Sequence, residues 1–424
     1  MTDPQPVPHV EKLLTGVGAA RPVPYKNALA SFIAADTLFG CAEDIIVVAT
    51  GWLIFSKTKS TFALGMIGLA GFMPLILFSL LTGIATDRFD RRSVLALSGA
   101  AFSIGALALC FAANLDAVWP IYLIVVFISS GKAFLSPVSK ALLPNLVPQG
   151  GLTRGVALTN SFGGTARLLA PAIGGLLYMA GPTVPFLAAA VIGAAGVLFC
   201  IGIGPRPAAR IDTTTNTKWS TLIAGFVFIW SSPIVLAAMT LDLVAVLLAG
   251  VSALMPYYAQ EIFQAGPWAL GIMRTAPAVG GILTSSVLAY WPLQRRAGPT
   301  LLVVVAIYGL ATIGFGLSTN FYVALFFLAM LGASDSVSML VRQTLVQAQT
   351  PDAMRGRVSA VHTLLAGSSG ELGEVESGLL SAVIGVVPCV VVGGVAAVIA
   401  AAAWAVLVPA LRRADRFERG PAAP

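Results

Sequence analysis

Charge is scarce in this 424-residue chain: Asp, Glu, Lys and Arg make up 10% of it, against 57% hydrophobic residues. A water-soluble domain carries about 25% charged residues, so that class is excluded and the chain reads as a polytopic membrane protein. Histidine is scarcer still, with two residues, and no His-Glu-x-x-His, Gly-x-Ser-x-Gly or Gly-x-Gly-Asp sequence occurs. Without those centres the chain is not expected to be an enzyme or to hold a metal. There is no Gly-x-x-x-x-Gly-Lys-Ser/Thr phosphate loop either, which argues against ATP as the drive. No cofactor is expected, and a proton gradient is the expected energy source, on the carboxylates considered below. Cysteine is limited to Cys41, Cys110, Cys200 and Cys389, all inside apolar runs, where they are expected to pack as small apolar side chains.

What the chain does contain is long apolar runs. A hydrocarbon core about 30 Å thick needs roughly 20 apolar residues per helix. Twelve such spans fit between turn and charge signals: 28–55, 61–82, 93–113, 118–143, 154–180, 183–204, 233–260, 267–291, 299–317, 320–345, 357–384 and 386–409. The runs are continuous rather than alternating, so helices are expected and a β-barrel is not. Residues 1–27, rich in Pro, read as a disordered tail with no cleavable signal peptide. Residues 28–204 and 233–409 are expected to form two six-helix bundles. Between them, 205–232 reads as a linker with an interfacial amphipathic helix, and 410–424 as a second tail.

Twenty basic residues, from Lys12 to Arg419 and including Lys140, Arg342, Arg355 and Arg357, are assigned to loops on the side of both termini, against Lys57 and Lys59 opposite. The positive-inside rule then places both ends in the cytoplasm. The net charge of +7 is a topology signal, and no nucleic-acid partner is expected. A shift of 203 residues superposes Pro74 on Pro277, Arg92 on Arg295, Arg154 on Arg357 and Gly175-Leu176-Leu177 on Gly378-Leu379-Leu380. Six spans per copy is an even number, so the copies are parallel repeats.

Ionisable residues inside spans face the bundle interior or water. Asp36, Glu43 and Asp44 fall in span 1, Lys132 in span 4, Arg167 in span 5, Asp242 in span 7, Arg274 in span 8 and Asp335 in span 10. His362, Glu371, Glu374 and Glu376 fall in span 11. This distribution predicts a polar cavity between the halves, lined mainly by spans 1, 4, 7 and 10. Eight carboxylates face three permanent cations, so Glu43, Asp44, Asp36, Glu371 and Glu374 are candidates for proton coupling; fixed ion pairs are the alternative. Lys132, Asp335, Arg167, Asp242 and Arg274 are candidates for cavity or substrate contact. Lys132 and Asp335 are equivalent under the 203-residue shift and could form a recognition or gating pair. Gly367, Gly370 and Gly373 form a small-residue stripe suited to close helix packing.

Between spans 2 and 3 lies Gly83-Ile84-Ala85-Thr86-Asp87-Arg88-Phe89-Asp90-Arg91-Arg92. With twelve spans and a parallel repeat, it resembles the major facilitator superfamily, whose signature there is Gly-x-x-x-Asp-Arg-x-Gly-Arg-Arg/Lys. Gly83, Asp87, Arg88, Arg91 and Arg92 match, and Asp90 stands where Gly is usual. The resemblance implies an all-α fold of two six-helix bundles around a central cavity, alternating access, and a gating role for this loop. Ala170-Pro171-Ala172-Ile173-Gly174-Gly175 is similar to the Gly-Pro-x-x-Gly-Gly motif of drug:proton antiporters, with Pro171, Gly174 and Gly175 matching. Gly131-Lys132-Ala133-Phe134 and Arg355-Gly356-Arg357-Val358 resemble the enterobactin-exporter-like branch. These likenesses imply a monomeric, proton-coupled exporter of drugs or siderophores in the bacterial inner membrane; a proton-coupled importer on the same fold is the alternative.

Overall fold

The computed structural model describes residues 25–148, 150–204, 218–291, 293 and 295–413. The N-terminal half comprises α1 (Tyr25–Thr58), α2 (Thr61–Arg88), α3 (Arg91–Ala112), α4 (Trp119–Leu142), α5 (Leu152–Met179) and α6 (Val184–Gly202). The second half comprises α7 (Lys218–Ser231), α8 (Pro233–Leu248), α9 (Met255–Tyr257), α10 (Pro267–Tyr290), α11 (Ala297–Gly316), α12 (Phe321–Gln349), α13 (Asp352–Ile384), α14 (Val386–Leu407) and α15 (Pro409–Arg412). Among the described residues, ten helices are long and apolar enough to cross a membrane. The long helices α5 and α13 are not among those ten; they hold Arg167 and the Glu371–Glu374 pair.

Each half buries its own apolar core. In the first, Ile45, Ile54, Phe102, Leu109, Ile121 and Phe186 pack together. In the second, Tyr258, Leu270, Phe315 and Leu328 do so, and the Tyr258 hydroxyl donates to the Gly316 carbonyl (2.9 Å). The halves meet along two seams, α2 against α13 and α5 against α10. Glycines set the approach. A Cβ added to Gly65 would lie 2.9 Å from Gly378 Cα, and one on Gly175 would lie 2.5 Å from the Pro267 carbonyl oxygen. Gly68 and Gly271, like Gly175 and Gly378, are 203 residues apart, so the seams are copies related by the internal repeat.

Both seams lie toward the side where α2 and α10 begin and α5 and α13 end. The same side carries the contacts of Lys59 with Glu261 (2.7 Å) and Gln260 (3.1 Å), and of Phe55 with Tyr257 (centroids 5.8 Å apart). The structure is therefore sealed on this far side. On the opposite side, where the chain's described ends lie, a cavity of about 1140 Å³ opens between the near halves of α1 and α5.

Span 7 was expected to be one helix over 233–260, and it is not. Helix α8 stops at Leu248, and 3₁₀, α and π turns carry the chain to Ile262. Pro256 has no N–H to return to the Ser252 carbonyl. Arg274 Nη2 donates to that carbonyl instead (3.1 Å), and Ser377 Oγ donates to the Gly250 carbonyl (2.8 Å). The freed backbone acceptors are thus met by side chains of α10 and α13, which is how irregular backbone survives at membrane depth. Residues 1–24 and 414–424 of the expected tails, and 205–217 of the linker, lie outside the described residues. Helix α7 of the linker packs on α13 through a cluster holding Ile229, Val358 and Val361.

Candidate functional site

A chain of charges crosses between the halves at mid-membrane. Lys132 of α4 reaches Glu43 of α1 (2.9 Å) and Glu371 of α13 (3.2 Å), so one ammonium group bridges carboxylates of opposite halves. On the other side of Glu43, Arg167 of α5 forks between Glu43 (3.3 Å) and Asp44 (3.3 Å). Its guanidinium lies over Gly40, where an added Cβ would come within 2.8 Å of Nε. Glu371 presses similarly on Gly71 of α2, whose added Cβ would lie 2.9 Å from Oε2. Glu374, one turn on, acts electrostatically on Glu371, and Arg274 acts on both Glu374 and Asp44. Four carboxylates and three cations therefore share one region. The Lys132 side chain is 38% exposed and Glu43 16%, so the cluster borders open space rather than a sealed core.

A second cavity, about 360 Å³, lies in the C-terminal half beside this cluster. Gly250, Val251 and Ser252 of the broken segment line it with Tyr308, Asp335, Glu371 and Glu374. Gly367 and Gly370 also face it and, among the described residues, have nothing within 4 Å of an added Cβ, whereas Gly373 packs on the Val246 carbonyl at 2.9 Å. The expected packing stripe is thus mostly cavity wall.

Several expectations are corrected. Lys132 and Asp335 do not pair: Lys132 is held by Glu43 and Glu371, and Asp335 sits in the second cavity. Their equivalence under the repeat places them on corresponding faces of different bundles, which does not bring them together. Asp242 is not a side chain free in the central cavity. It is 9% exposed and forms an ion pair with Arg342, which is 5% exposed. Arg342, assigned above to a loop, belongs to α12, and its Nε donates to His362 Nε2 of α13 (3.2 Å). Asp36 accepts a 2.5 Å hydrogen bond from Ser139 of α4 and does not extend the cluster. Ser139 and Arg342 are 203 residues apart, so the same register of α4 and α12 grips an acid of the first membrane-crossing helix in each half, α1 and α8. Only that arithmetic could have flagged Arg342 from sequence.

The expected gating loop is short: only Phe89 and Asp90 separate α2 from α3. Arg91 Nη1 donates to the Ala141 carbonyl at the end of α4 (2.8 Å), and Ser93 Oγ donates to Asp90 Oδ2 (3.0 Å). Arg92 follows on the first turn of α3. Side-chain placements for Gly83 to Arg88, including Asp87 and Arg88, lie outside the described residues. Pro171 and Gly175 of the antiporter-like motif sit at the α5 seam with α10, and Gly174 packs on α1 instead. An added Cβ on Gly271 of α10 would lie 2.5 Å from the Pro171 carbonyl oxygen, and one on Gly174 would lie 3.1 Å from Ile45 Cα.

A family of transmembrane secretion effectors matches residues 24–423, nearly the whole chain. The chain belongs to this family. As a major facilitator superfamily member it is a secondary transporter of the efflux class, not an enzyme, and spans the membrane many times. Among its relatives, the chain is 24% identical to the multidrug efflux pump Tap of Mycolicibacterium fortuitum, over 81% of this chain and 86% of that one. It is 30% identical to the enterobactin exporter EntS of Shigella boydii, over 66% of this chain and 68% of that one. The fold is shared more widely. The nucleoside transporter NupG superposes with a TM-score of 0.74 at 14% identity, over 91% of this chain and 99% of that one. A bacterial homologue of the lysosomal transporter Spinster superposes at 0.68 with 15% identity, over 95% and 100%. A secretion-effector family supports the importer alternative less well than efflux.

Proposed function

We propose that the protein exports small amphipathic molecules, such as drugs or siderophores, from the bacterial cytoplasm in exchange for protons. In this reading it acts as a monomer with both termini cytoplasmic, so the sealed far side is periplasmic. The bridge from Lys132 to carboxylates of both halves carries the reading. With Glu43, Asp44, Glu371 and Glu374 ionised against Lys132, Arg167 and Arg274, the cluster sums to one negative charge, and an uncompensated charge at mid-membrane is costly. One added cation balances it, and a proton and a cationic substrate then compete for the same carboxylates.

Opening toward the periplasm must part α13 from α2 and α4. Lys132 stays with Glu43 of its own half, so Glu371 loses its partner and takes a proton from the periplasm. Closing the far side returns Lys132 to Glu371, and the proton is released to the cytoplasmic side. A membrane potential of 100 mV adds about 2.3 kcal/mol per charge moved. The test uses inside-out vesicles with an acidified lumen, offered ethidium and enterobactin. Accumulation of at least one is expected in wild type, and its loss in Glu371→Gln with substrate exchange retained. No accumulation of either probe, or a Glu371→Gln variant equal to wild type, would overturn the proposal.

A further inference from the structure

Four cavities in the C-terminal half form a series in which each shares a lining residue with the next. At the near face, a cavity of about 540 Å³ is lined by Gln343, Gln347, Arg355, Ser359 and His362. His362 also lines a cavity of about 10 Å³ with Asp242, Arg342 and Ser369. Asp242 lines a third, again about 10 Å³, with Tyr308, Ser334, Asp335 and Ser338. Asp335 and Tyr308 then line the 360 Å³ cavity that holds Glu371 and Glu374. The two small cavities are each about the size needed for one water. An independent observation falls in the narrowest stretch: Ser338 is 5% exposed, yet its hydroxyl has no hydrogen-bond partner among the described residues. A buried hydroxyl left unsatisfied is costly, and a water in that cavity would satisfy it.

We infer that protons leave the central carboxylates for the cytoplasm through the interior of the C-terminal half, along Asp335, Ser338, Asp242 and His362, apart from the space the substrate uses. This rests on the proton-exchange reading above. A proton released from Glu371 passes, across the cavity that Glu371, Glu374 and Asp335 line together, to the Asp335 carboxylate. Water beside Ser338 carries it to Asp242, whose charge Arg342 holds in place. From there it passes to His362 Nε2, which gives up its bond from Arg342 Nε–H to accept it, and the Nδ1 proton leaves to water in the near cavity. The charged groups facing His362 among the described residues are Asp242 of α8, Arg342 of α12 and Arg355 of α13 itself. Release along a separate path lets a substrate occupy the space between the halves while the proton departs, which an exchanger entering through one shared vestibule cannot do.

Ser338→Leu fills the one-water cavity, and Ser338→Val is a smaller fill in case Leu disturbs packing. Both are compared with wild type in proteoliposomes using ethidium or enterobactin, whichever wild type accumulates. Uptake driven by a pH gradient is expected to fall at least tenfold in Ser338→Leu, while exchange of labelled for unlabelled probe, which needs no net proton movement, stays within twofold. The residual driven uptake is expected to lose the pH dependence seen in wild type. Driven uptake at the wild-type level in both variants overturns the route while leaving proton exchange standing. Exchange falling in parallel with driven uptake in both makes Ser338 a packing residue and also overturns it. If wild type itself ignores the pH gradient, the exchange reading fails and the route fails with it.

Discussion

Arg342 shows how one residue's surroundings decide its role. At the near end of a span, an arginine reads as a topology marker; in the folded bundle it is 5% exposed, paired with Asp242 and bonded to His362. Removing one partner of a buried pair strands the other charge, at a cost of about 3–5 kcal/mol. Arg342→Ala is therefore expected to lower the thermal unfolding midpoint in detergent markedly, and Arg342→Ala with Asp242→Asn to recover most of the loss. If the double variant melted no higher than the single, the pair would not be the source of the effect. Lys132 contrasts with it. Its ammonium borders open space and bridges the two halves, so its removal is expected to cost transport more than folding.

At the scale of elements, the seams depend on glycine, because helices whose backbones nearly touch tolerate no Cβ between them. The Gly65–Gly378 contact offers a direct probe. Gly378→Val would put a Cβ inside van der Waals distance of the Gly65 Cα, so it is expected to force α2 and α13 apart on the far side. Spin labels on α2 and α13 are then expected to report longer far-side distances than in wild type, with transport reduced. Distances equal to wild type would mean that this seam does not depend on glycine. The broken helix after Leu248 belongs to the same scale: Ser377 and Arg274 hold its carbonyls, tying the break to α13 and α10, the two helices that make the seams.

For the whole molecule, the balance between outward-closed and outward-open states is a difference of a few kcal/mol, so small contacts at the rim register. Lys59–Glu261 is the rim pair that joins the halves, with side chains 58% and 42% exposed. An exposed pair of this kind contributes at most about 1 kcal/mol. Glu261→Lys is thus expected to widen the far-side distance distribution between spin labels on α2 and α13, shifting the population by less than about tenfold, with the shift fading at high salt. A shift unaffected by salt would assign the change to packing instead.

The class of this protein was legible from composition, because continuous apolar runs leave helices as the only spanning structure. The two bundles followed from the 203-residue repeat, and the seam glycine Gly175 was visible in the antiporter-like motif of α5, whereas its partner Gly271 in α10 was not. The inward-facing charges were legible too, since lipid excludes them. Which charge meets which was not legible: repeat arithmetic set Lys132 beside Asp335, whereas packing gave Lys132 to Glu43 and Glu371. Pairing between helices depends on their rotation and depth, and one chain's periodicity constrains neither to the few ångströms an ion pair requires. For the same reason the break after Leu248 and the buried Arg342–Asp242 pair emerged only when α10, α12 and α13 were in place around α8. The sequence by itself determined the membrane class, the duplication and the inventory of charge. Tertiary structure alone decided the bridges between halves and the chain of small cavities, because both are made by residues that share no local pattern.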